Sequence, residues 1–257
     1  MCLIDSHTHP IFRQDGRGRE RAAEFLRRAR AAGIEHLVAL GDVLAYGRSP
    51  NAAQLRLIND DTAALVARAP DFVTGFIYLN PTLGAEAVRR EVARYVARGP
   101  GFRGIKLEIA NNAADACMAP VMEEAERHGL VVLQHAWSQV KIRERSFHTD
   151  PEDVATLARR FPRVRIIMAH LTGCGARGVR AVQGCPNVWV DTSGAAPEAG
   201  LVEFAVAQLG AERVLHGSDA PIRDFHVSLA RVRTAAIPER AKRRVLGENA
   251  RELLRLP

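Results

Sequence analysis

Short apolar runs rich in β-branched residues alternate along the chain with longer segments in which Ala, Leu and Arg recur at helical spacing. The alternation repeats eight times without a Ser-, Gly- or Pro-rich linker. It predicts eight strands, at Leu3–Asp5, Leu37–Leu40, Phe72–Leu79, Gly104–Glu108, Leu130–His135, Val164–His170, Val188–Asp191 and Val214–Asp219. It predicts helices between them, among them Arg19–Ala32, Ala52–Ala69, Ala85–Ala97, Ala116–His128, Pro151–Arg160, Pro197–Leu209 and Glu239–Leu254.

Eight strand-and-helix units in 257 residues have the number and size of a (β/α)8 TIM barrel, an α/β fold. An open, doubly wound parallel sheet has the same alternation and is the competing arrangement. Histidines and acidic residues end six of the predicted strands, namely His7 and His9, Glu108, His135, His170, Asp191 and Asp219. Such strand ends converge at one mouth in a barrel, so we predict a barrel of the metal-dependent hydrolase type, in a single domain over residues 1–257.

The composition excludes several classes of protein. Hydrophobic residues make up 47% of the chain, enough for a large core, yet no run approaches the ~20 apolar residues of a membrane span. Asp5 and His7 come too early for the apolar core of a signal peptide. The four cysteines form no CxxC pair, so we expect free thiols in a cytoplasmic protein that does not contact membranes.

The formal net charge is +7, but the basic residues are scattered through helical segments as arginine pairs. We expect solvated helix faces, and the absence of a basic tail or an aromatic-flanked basic stripe disfavours a nucleic-acid partner. Lysine occurs at only three positions, one of which, Lys106, lies in a predicted strand. We expect a small molecule as the partner, and self-association into a homo-oligomer stays open.

The histidines at the strand ends predict a metal site. His7 and His9 are two residues apart, and residues i and i+2 of a strand point to the same face. His135 and His170 each close another apolar strand, and Asp219 closes the eighth strand beside the first. Imidazole suits zinc and similar divalent metals, and a catalytic site needs about three protein ligands plus an open position. A carboxylate there can bind the metal, accept a proton from water, or do both.

Six segments also carry a family resemblance, namely Asp5–His9, Gly101–Leu107, His135, Ala169–Leu171, Gly217–Pro221 and Gly247–Arg251. Through them the chain resembles the amidohydrolase superfamily. It is most similar to the amidohydrolase-related branch, which includes aminocarboxymuconate-semialdehyde decarboxylase-like enzymes and small lactonases. The resemblance covers essentially the full length, with the histidine and aspartate anchors in order.

The resemblance implies roles for these residues. His7, His9, His135 and Asp219 are implied to hold a catalytic divalent metal, zinc by preference with manganese as the alternative. His170 is implied either to polarise the substrate and move a proton or to bind a second metal. Asp5 is expected on the same strand face as His7, where a carboxylate orients a ligand.

The fourth strand bears on whether one or two ions bind. Lys106 and Glu108 share one face of this strand, and in superfamily members with two metals a carboxylated lysine or a glutamate here bridges them. In the branch that this chain most resembles, a lysine is common without serving as a ligand, and a histidine often replaces Glu108. A bridging Glu108, a carboxylated Lys106 and a simple ion pair of Lys106 with a carboxylate therefore stay open.

Residues in the loops are candidates for substrate binding. Trp137 is a candidate wall of the pocket, with packing on the barrel rim as the alternative, and Arg223 is placed to bind a substrate carboxylate unless it is an ordinary surface arginine. The segment 136–150 is expected to be a lid or an oligomer contact. Gly173–Gly178 matches G-x-G-x-x-G, but its context predicts a glycine-rich turn leaving the metal site, with Cys174 inert.

Taken together, the sequence predicts a metal-dependent hydrolase that attacks a small anionic lactone, cyclic amide or ester with metal-activated water. Asp219 is the expected proton acceptor, and His170 or the metal is expected to stabilise the oxyanion. The first alternative is a metal-dependent, non-oxidative decarboxylase of the same superfamily. A metal-dependent nuclease and a non-catalytic metal-binding barrel are further alternatives.

Overall fold

A computed structural model describes residues 2–12, 18–108, 110–138, 149–196 and 198–256 of the chain. Eight parallel strands are hydrogen-bonded in chain order within one sheet. They are β1 (Ile4–Thr8), β2 (His36–Ala39), β3 (Val73–Leu79), β4 (Phe102–Leu107), β5 (Val131–Gln134), β6 (Ile166–Met168), β7 (Val188–Asp191) and β8 (Val214–Leu215). The helices are α1 (Gly18–Ala31), α2 (Ala52–Arg68), α3 (Ala85–Val96), α4 (Ala119–His128), α5 (Pro151–Arg160), α6 (Leu171–Val182), α7 (Leu201–Leu209), α8 (Phe225–Arg233), α9 (Glu239–Arg243) and α10 (Asn249–Leu254).

The sheet closes on itself through backbone contacts between β1 and the segment that follows β8. The Ser6 N–H donates to the His216 carbonyl at 3.0 Å, and the Asp219 N–H donates to the His7 carbonyl at 2.8 Å. The His9 N–H donates to the Ala220 carbonyl at 2.7 Å. The molecule is therefore a (β/α)8 barrel, as predicted.

Alternating strand residues pack into two separate cores, because successive side chains of a strand point to opposite faces. Inside the barrel, residues such as Ile4, Phe76 and Leu215 pack together, and Leu253 of α10 packs against this cluster. Outside it, strand residues such as Leu37 pack against the helices. Among the described residues, no helix is both long and apolar enough to cross a membrane.

The helical segments differ from the predictions in several places. The predicted helix Glu239–Leu254 is interrupted by a π-helical turn at Arg244–Glu248. The Val245 carbonyl accepts the His216 N–H at 2.8 Å, so a contact with the barrel wall accompanies the break in helical hydrogen bonding. The predicted helix Ala116–His128 begins with a 3₁₀ turn, and the helix predicted from Pro197 begins at Leu201.

Two further helices lie where the prediction placed none. The glycine-rich segment forms most of α6 instead of a turn, with a kink at Gly175, where φ is 63°. α8 occupies Phe225–Arg233, and its first turn is capped by the Asp224 carboxylate.

Gly104 on β4 provides a test of the packing inside the barrel. A Cβ at this position would lie 2.5 Å from the Val131 carbonyl oxygen and against the Phe76 ring, whereas a Cβ at Gly184 would meet no atom of the described residues within 4 Å. We expect Gly104→Ala to lower the free energy of unfolding by about 1–3 kcal/mol through overpacking. Gly184→Ala should leave it within about 0.5 kcal/mol. Denaturant unfolding measures both, and equal stabilities would contradict this packing.

Candidate metal centre

The histidine pair enters the barrel because β1 shifts its register. Asp5 pairs with Leu37, but Thr8 pairs with Ala39, so β1 has one more residue than β2 between these two contacts. Ile4 faces the interior, and regular alternation from Ile4 would turn His7 towards the helices. The shift instead brings the His7 ring inside, 5.5 Å from the His9 ring.

His7, His9 and Asp219 bring their ligand atoms to one point. The Nε2 atoms of His7 and His9 lie 3.5 and 3.6 Å from the same Asp219 carboxylate oxygen. One atom from each of the three residues lies within 4.8 Å of the others, and all three residues are buried. Within the described part of the chain, His7 Nε2 has no hydrogen-bond partner. Two imidazole nitrogens, one of them without a hydrogen-bond partner, and a carboxylate oxygen form a ligand set that suits a divalent metal ion.

Acceptors behind the rings hold both imidazoles in the orientation that a metal needs. The His7 Nδ1–H donates to the Asp191 carboxylate at 2.9 Å, and the His9 Nδ1–H donates to the Gly41 carbonyl at 2.7 Å. Each contact fixes the tautomer and leaves the Nε2 lone pair directed towards Asp219. Sequence reasoning placed Asp191 at a strand end but gave it no role, because no spacing motif connects β7 to β1.

Burial sets the protonation of these groups. It lowers the pKa of His7 well below its usual range and that of His9 to about 4, with the Lys106 charge adding to both effects. Neutral imidazole is the form that binds metal. Burial also raises the pKa of Asp219 to about 7, a shift that the Lys106 charge opposes. A bound cation would favour the ionised carboxylate.

His170 lies at the edge of this group through an unusual backbone conformation. Ile167 and Ala169 face the interior, so regular alternation would turn His170 outwards, but its φ of 67° accompanies a ring that lies 4.9 Å from the His7 ring. Asp219 also has a positive φ, 63°. Left-handed backbone is costly for residues with a side chain and tends to occur at functional sites.

The hydrogen bonds of His170 define its tautomer. The Ser193 hydroxyl donates to the Asp191 carboxylate, so it accepts from His170 Nδ1–H, which lies 2.9 Å away. The Nε2 lone pair of His170 therefore faces His135 Nδ1 at 3.1 Å. Burial lowers the pKa of His170 well below its usual range, which keeps this ring neutral. Sequence reasoning did not single out Ser193.

His135 lies beside the three-residue group and contacts β4. Its Nδ1 is 3.1 Å from Glu108 Oε1, while the other Glu108 oxygen is 2.9 Å from Lys106 Nζ. Burial alone would raise the pKa of Glu108, but His135 and Lys106 lower it to about 2. The structure therefore gathers His7, His9 and Asp219 closely, and places His135, Glu108 and Lys106 in a second, adjoining chain of contacts.

Asp5 differs from its prediction. The register shift of β1 separates Asp5 from the face that His7 occupies, so the same-face expectation was wrong. One Asp5 oxygen accepts the N–H groups of His7 at 3.2 Å and Ser218 at 2.9 Å, which joins the two strands at the barrel closure. Asp5 thus holds the backbone of His7 and does not contact its ring.

The loop residues have mixed outcomes. The Trp137 ring lies 5.6 Å from the His170 ring and packs on Gly173, where a Cβ would lie 2.5 Å from the indole. Arg223 is exposed at the rim, although its charge lowers the pKa of Asp219. Burial raises the pKa of the Cys174 thiol, as expected for an inert cysteine. Residues 139–148 of the predicted 136–150 segment lie outside the described residues.

Neutral histidines and carboxylates converge here at the carboxyl ends of the strands of a (β/α)8 barrel. This is the architecture of a metal-dependent barrel enzyme. The comparison with known families agrees with this class. Residues 4–256 match the model of the amidohydrolase family, and the chain belongs to that family. No curated protein matches the chain.

Solved structures share the fold at low sequence identity. The 5-carboxyvanillate decarboxylase of Sphingomonas paucimobilis is 19% identical with a TM-score of 0.72, and the match covers 100% of this chain and 99% of that one. A dihydroxybenzoic acid decarboxylase from Polaromonas sp. JS666, with bound manganese and 2-nitroresorcinol, is 17% identical with a TM-score of 0.73, covering 99% and 97%. A Pseudomonas putida protein provisionally named 2-pyrone-4,6-dicarboxylic acid hydrolase is 21% identical with a TM-score of 0.67, covering 99% and 98%.

The contact between Asp191 and His7 predicts that this carboxylate tunes metal affinity. We expect Asp191→Ala to weaken metal binding about 10–100-fold, because the His7 ring loses the acceptor that fixes its tautomer. Asp60→Ala removes a surface carboxylate that contacts Tyr95 and Arg98, and should leave metal affinity unchanged. Competition with a chelating dye measures both, and equal affinities would show that Asp191 does not orient His7.

Proposed function

We propose that the chain is a non-oxidative decarboxylase that depends on one divalent metal and acts on a small carboxylated molecule. His7, His9 and Asp219 would hold the metal, zinc or manganese, and His135, at the end of β5, would be a further ligand. This reverses the order of the two enzyme functions considered from sequence. The observation that favours the one-metal decarboxylase is the ion pair between Lys106 and Glu108. It engages both of the residues that could otherwise bridge two metal ions.

The pairing disfavours a two-metal site for an electrostatic reason. A carboxylated Lys106 would place a second anion beside the Glu108 carboxylate, where the structure has an ion pair at 2.9 Å. The second oxygen of Glu108 faces His135. The names of the Sphingomonas and Polaromonas structures add support, since both proteins are decarboxylases and the second holds manganese.

The chemistry can be balanced with residues of this chain. A divalent metal, when bound, supplies positive charge that binds substrate oxygens and stabilises developing negative charge. The bond between the substrate carbon and its carboxyl group breaks, CO₂ leaves, and the electron pair stays on the carbon. Asp219, whose pKa burial raises to about 7, gives that carbon a proton and is left as the ionised carboxylate that a bound cation favours. The neutral His170, fixed by Ser193 and covered by Trp137, positions the substrate beside Asp219.

Hydrolysis of a lactone, cyclic amide or ester is the second candidate. The provisional name of the Pseudomonas putida structure favours it, because a 2-pyrone is a lactone. In that reaction Asp219 accepts a proton from water instead of giving one to carbon. Both reactions use the same residues, so loss of activity in a variant does not separate them, whereas the products do.

A single-metal centre predicts the metal content. Protein purified without chelator should contain about one equivalent of zinc or manganese per chain by elemental mass spectrometry. His9→Ala should lose most of it, because one of three converging ligand atoms is removed, and His226→Ala, on the exposed face of α8, should retain it. Two equivalents would contradict the proposal and favour a bridging Glu108.

The reaction itself is tested with substrates of the related enzymes. We expect the metal-loaded protein to release CO₂ without adding water from 5-carboxyvanillate, or from 2,6-dihydroxybenzoate, the compound for which a similar decarboxylase structure from Rhizobium is named. Asp219→Asn should lower turnover by about 10²–10⁴-fold, the usual contribution of a positioned acid. Asp224→Asn is the matched control, because asparagine also caps a helix. Ring opening of 2-pyrone-4,6-dicarboxylate with no CO₂ release would establish the hydrolase instead.

A further inference from the structure

Two large polar side chains lie on β3 and β4 and have no part in the chemistry proposed so far. Tyr78 and Lys106 are paired in register on these adjacent strands, and both are fully buried. Paired residues of neighbouring strands project to the same side of a sheet. In an eight-stranded barrel, β3 and β4 lie across the interior from β7 and β8. The pair therefore occupies the side of the barrel opposite Asp219.

The polar atoms of this pair have donor capacity that is not used. Among the described residues, the Tyr78 hydroxyl has no hydrogen-bond partner. Lys106 Nζ forms an ion pair with Glu108 Oε2 at 2.9 Å. An ammonium group has three protons, so Lys106 retains donors beyond its ion pair. Buried polar groups are nearly always satisfied in folded proteins, so unused donors at a site indicate a missing acceptor.

Lys106 is connected to the proposed metal ligands through Glu108, whose other carboxylate oxygen lies 3.1 Å from His135 Nδ1. Its charge lowers the pKa of His7, His9 and His170, and it also opposes the rise in the pKa of Asp219. Burial, reinforced by the Glu108 and Asp42 carboxylates, raises the pKa of Tyr78, so its hydroxyl remains a donor. The Tyr78 ring packs with Val43, Leu55 and Ile58. The pair thus supplies an O–H donor and a positive charge on the β3 and β4 side of the barrel.

We propose that Tyr78 and Lys106 form an anion subsite that binds a carboxylate oxygen of the substrate across the barrel from His7, His9 and Asp219. The inference rests on the proposed function, because it assumes a substrate that also carries a carboxyl group to be lost. An ammonium bound to that leaving group would stabilise charge that disappears as CO₂ departs, which opposes the reaction. The subsite therefore holds the anionic group that stays on the product, and the substrate class is a small dicarboxylate.

The test uses two probes that differ by one charge. Benzene-1,3-dicarboxylate carries two carboxylates, and 3-carbamoylbenzoate replaces one of them by an uncharged amide. We expect the metal-loaded protein to bind the dicarboxylate about tenfold more tightly or better in calorimetric titration, as expected for a hydrogen bond to a charged group. Tyr78→Phe should remove most of this preference by weakening dicarboxylate binding, with little effect on the amide.

Thermal stability distinguishes a ligand-binding hydroxyl from a structural one. Tyr78→Phe removes an unpartnered hydroxyl, so its Tm should equal or exceed that of the unchanged protein. Tyr95→Phe is the control, since Tyr95 donates to the Arg56 carbonyl at 3.2 Å and contacts Asp60 at 3.1 Å. It should lower Tm and leave both affinities unchanged. A lower Tm for Tyr78→Phe with unchanged affinities would overturn the subsite.

Lys106→Met provides a second arm and should abolish the preference for the dicarboxylate. Retention of the preference in both variants would also overturn the proposal, and Tyr78→Phe alone decides if Lys106→Met does not fold.

The outcome is separate from that of the decarboxylase proposal. Binding that depends on Tyr78, in a protein that releases no CO₂ from any substrate, supports the subsite and contradicts the decarboxylase. CO₂ release together with binding that is independent of Tyr78 does the reverse.

Discussion

Closing β8 onto β1 requires contacts along a strand whose register shifts between Asp5 and Thr8, and that shift turns His7 and His9 into the barrel. The Asp5 carboxylate joins the two strands there by accepting backbone N–H groups from both. Gly217 lets them approach, because a Cβ at this position would lie 2.9 Å from the His7 Cβ. The geometry that closes the barrel is thus also the geometry that builds the metal centre, and a change in one alters the other.

Asp191 extends this dependence from the metal ligands to His170. Its carboxylate accepts from the His7 ring, from the His170 backbone N–H at 3.1 Å and from the Ser193 hydroxyl, which in turn fixes the His170 ring. Because all of these groups are buried, each hydrogen bond forms in a medium of low dielectric constant, where losing a partner is costly. One carboxylate therefore sets the orientation of a proposed metal ligand and of a proposed catalytic residue together.

Much of this arrangement could be predicted from the sequence, and the remainder depends on departures from regular strands. The eight apolar runs and the polar residues at their ends were sufficient for the barrel and for the residues gathered at its mouth, because β-periodicity and strand order are local properties. Local alternation could not show that His7 turns inward after a register shift, or that His170 does so through left-handed backbone. The partners Asp191 and Ser193 were missed for a related reason, since contacts between distant strands leave no spacing pattern.

The balance of buried charge links the state of Asp219 to the kind of substrate that the mouth accepts. Among the described residues, the carboxylates that contact the imidazole rings of the mouth are Asp219, Asp191 and Glu108, and Lys106 forms an ion pair with Glu108. A divalent ion brings this group to neutrality when all three carboxylates are ionised, which suits an uncharged lactone. With a proton on Asp219 the same group is positive by one charge, which suits an anionic substrate. Decarboxylation requires both the proton on Asp219 and an anionic substrate, and the protonated state of Asp219 meets both requirements. Hydrolysis begins from the ionised state of Asp219.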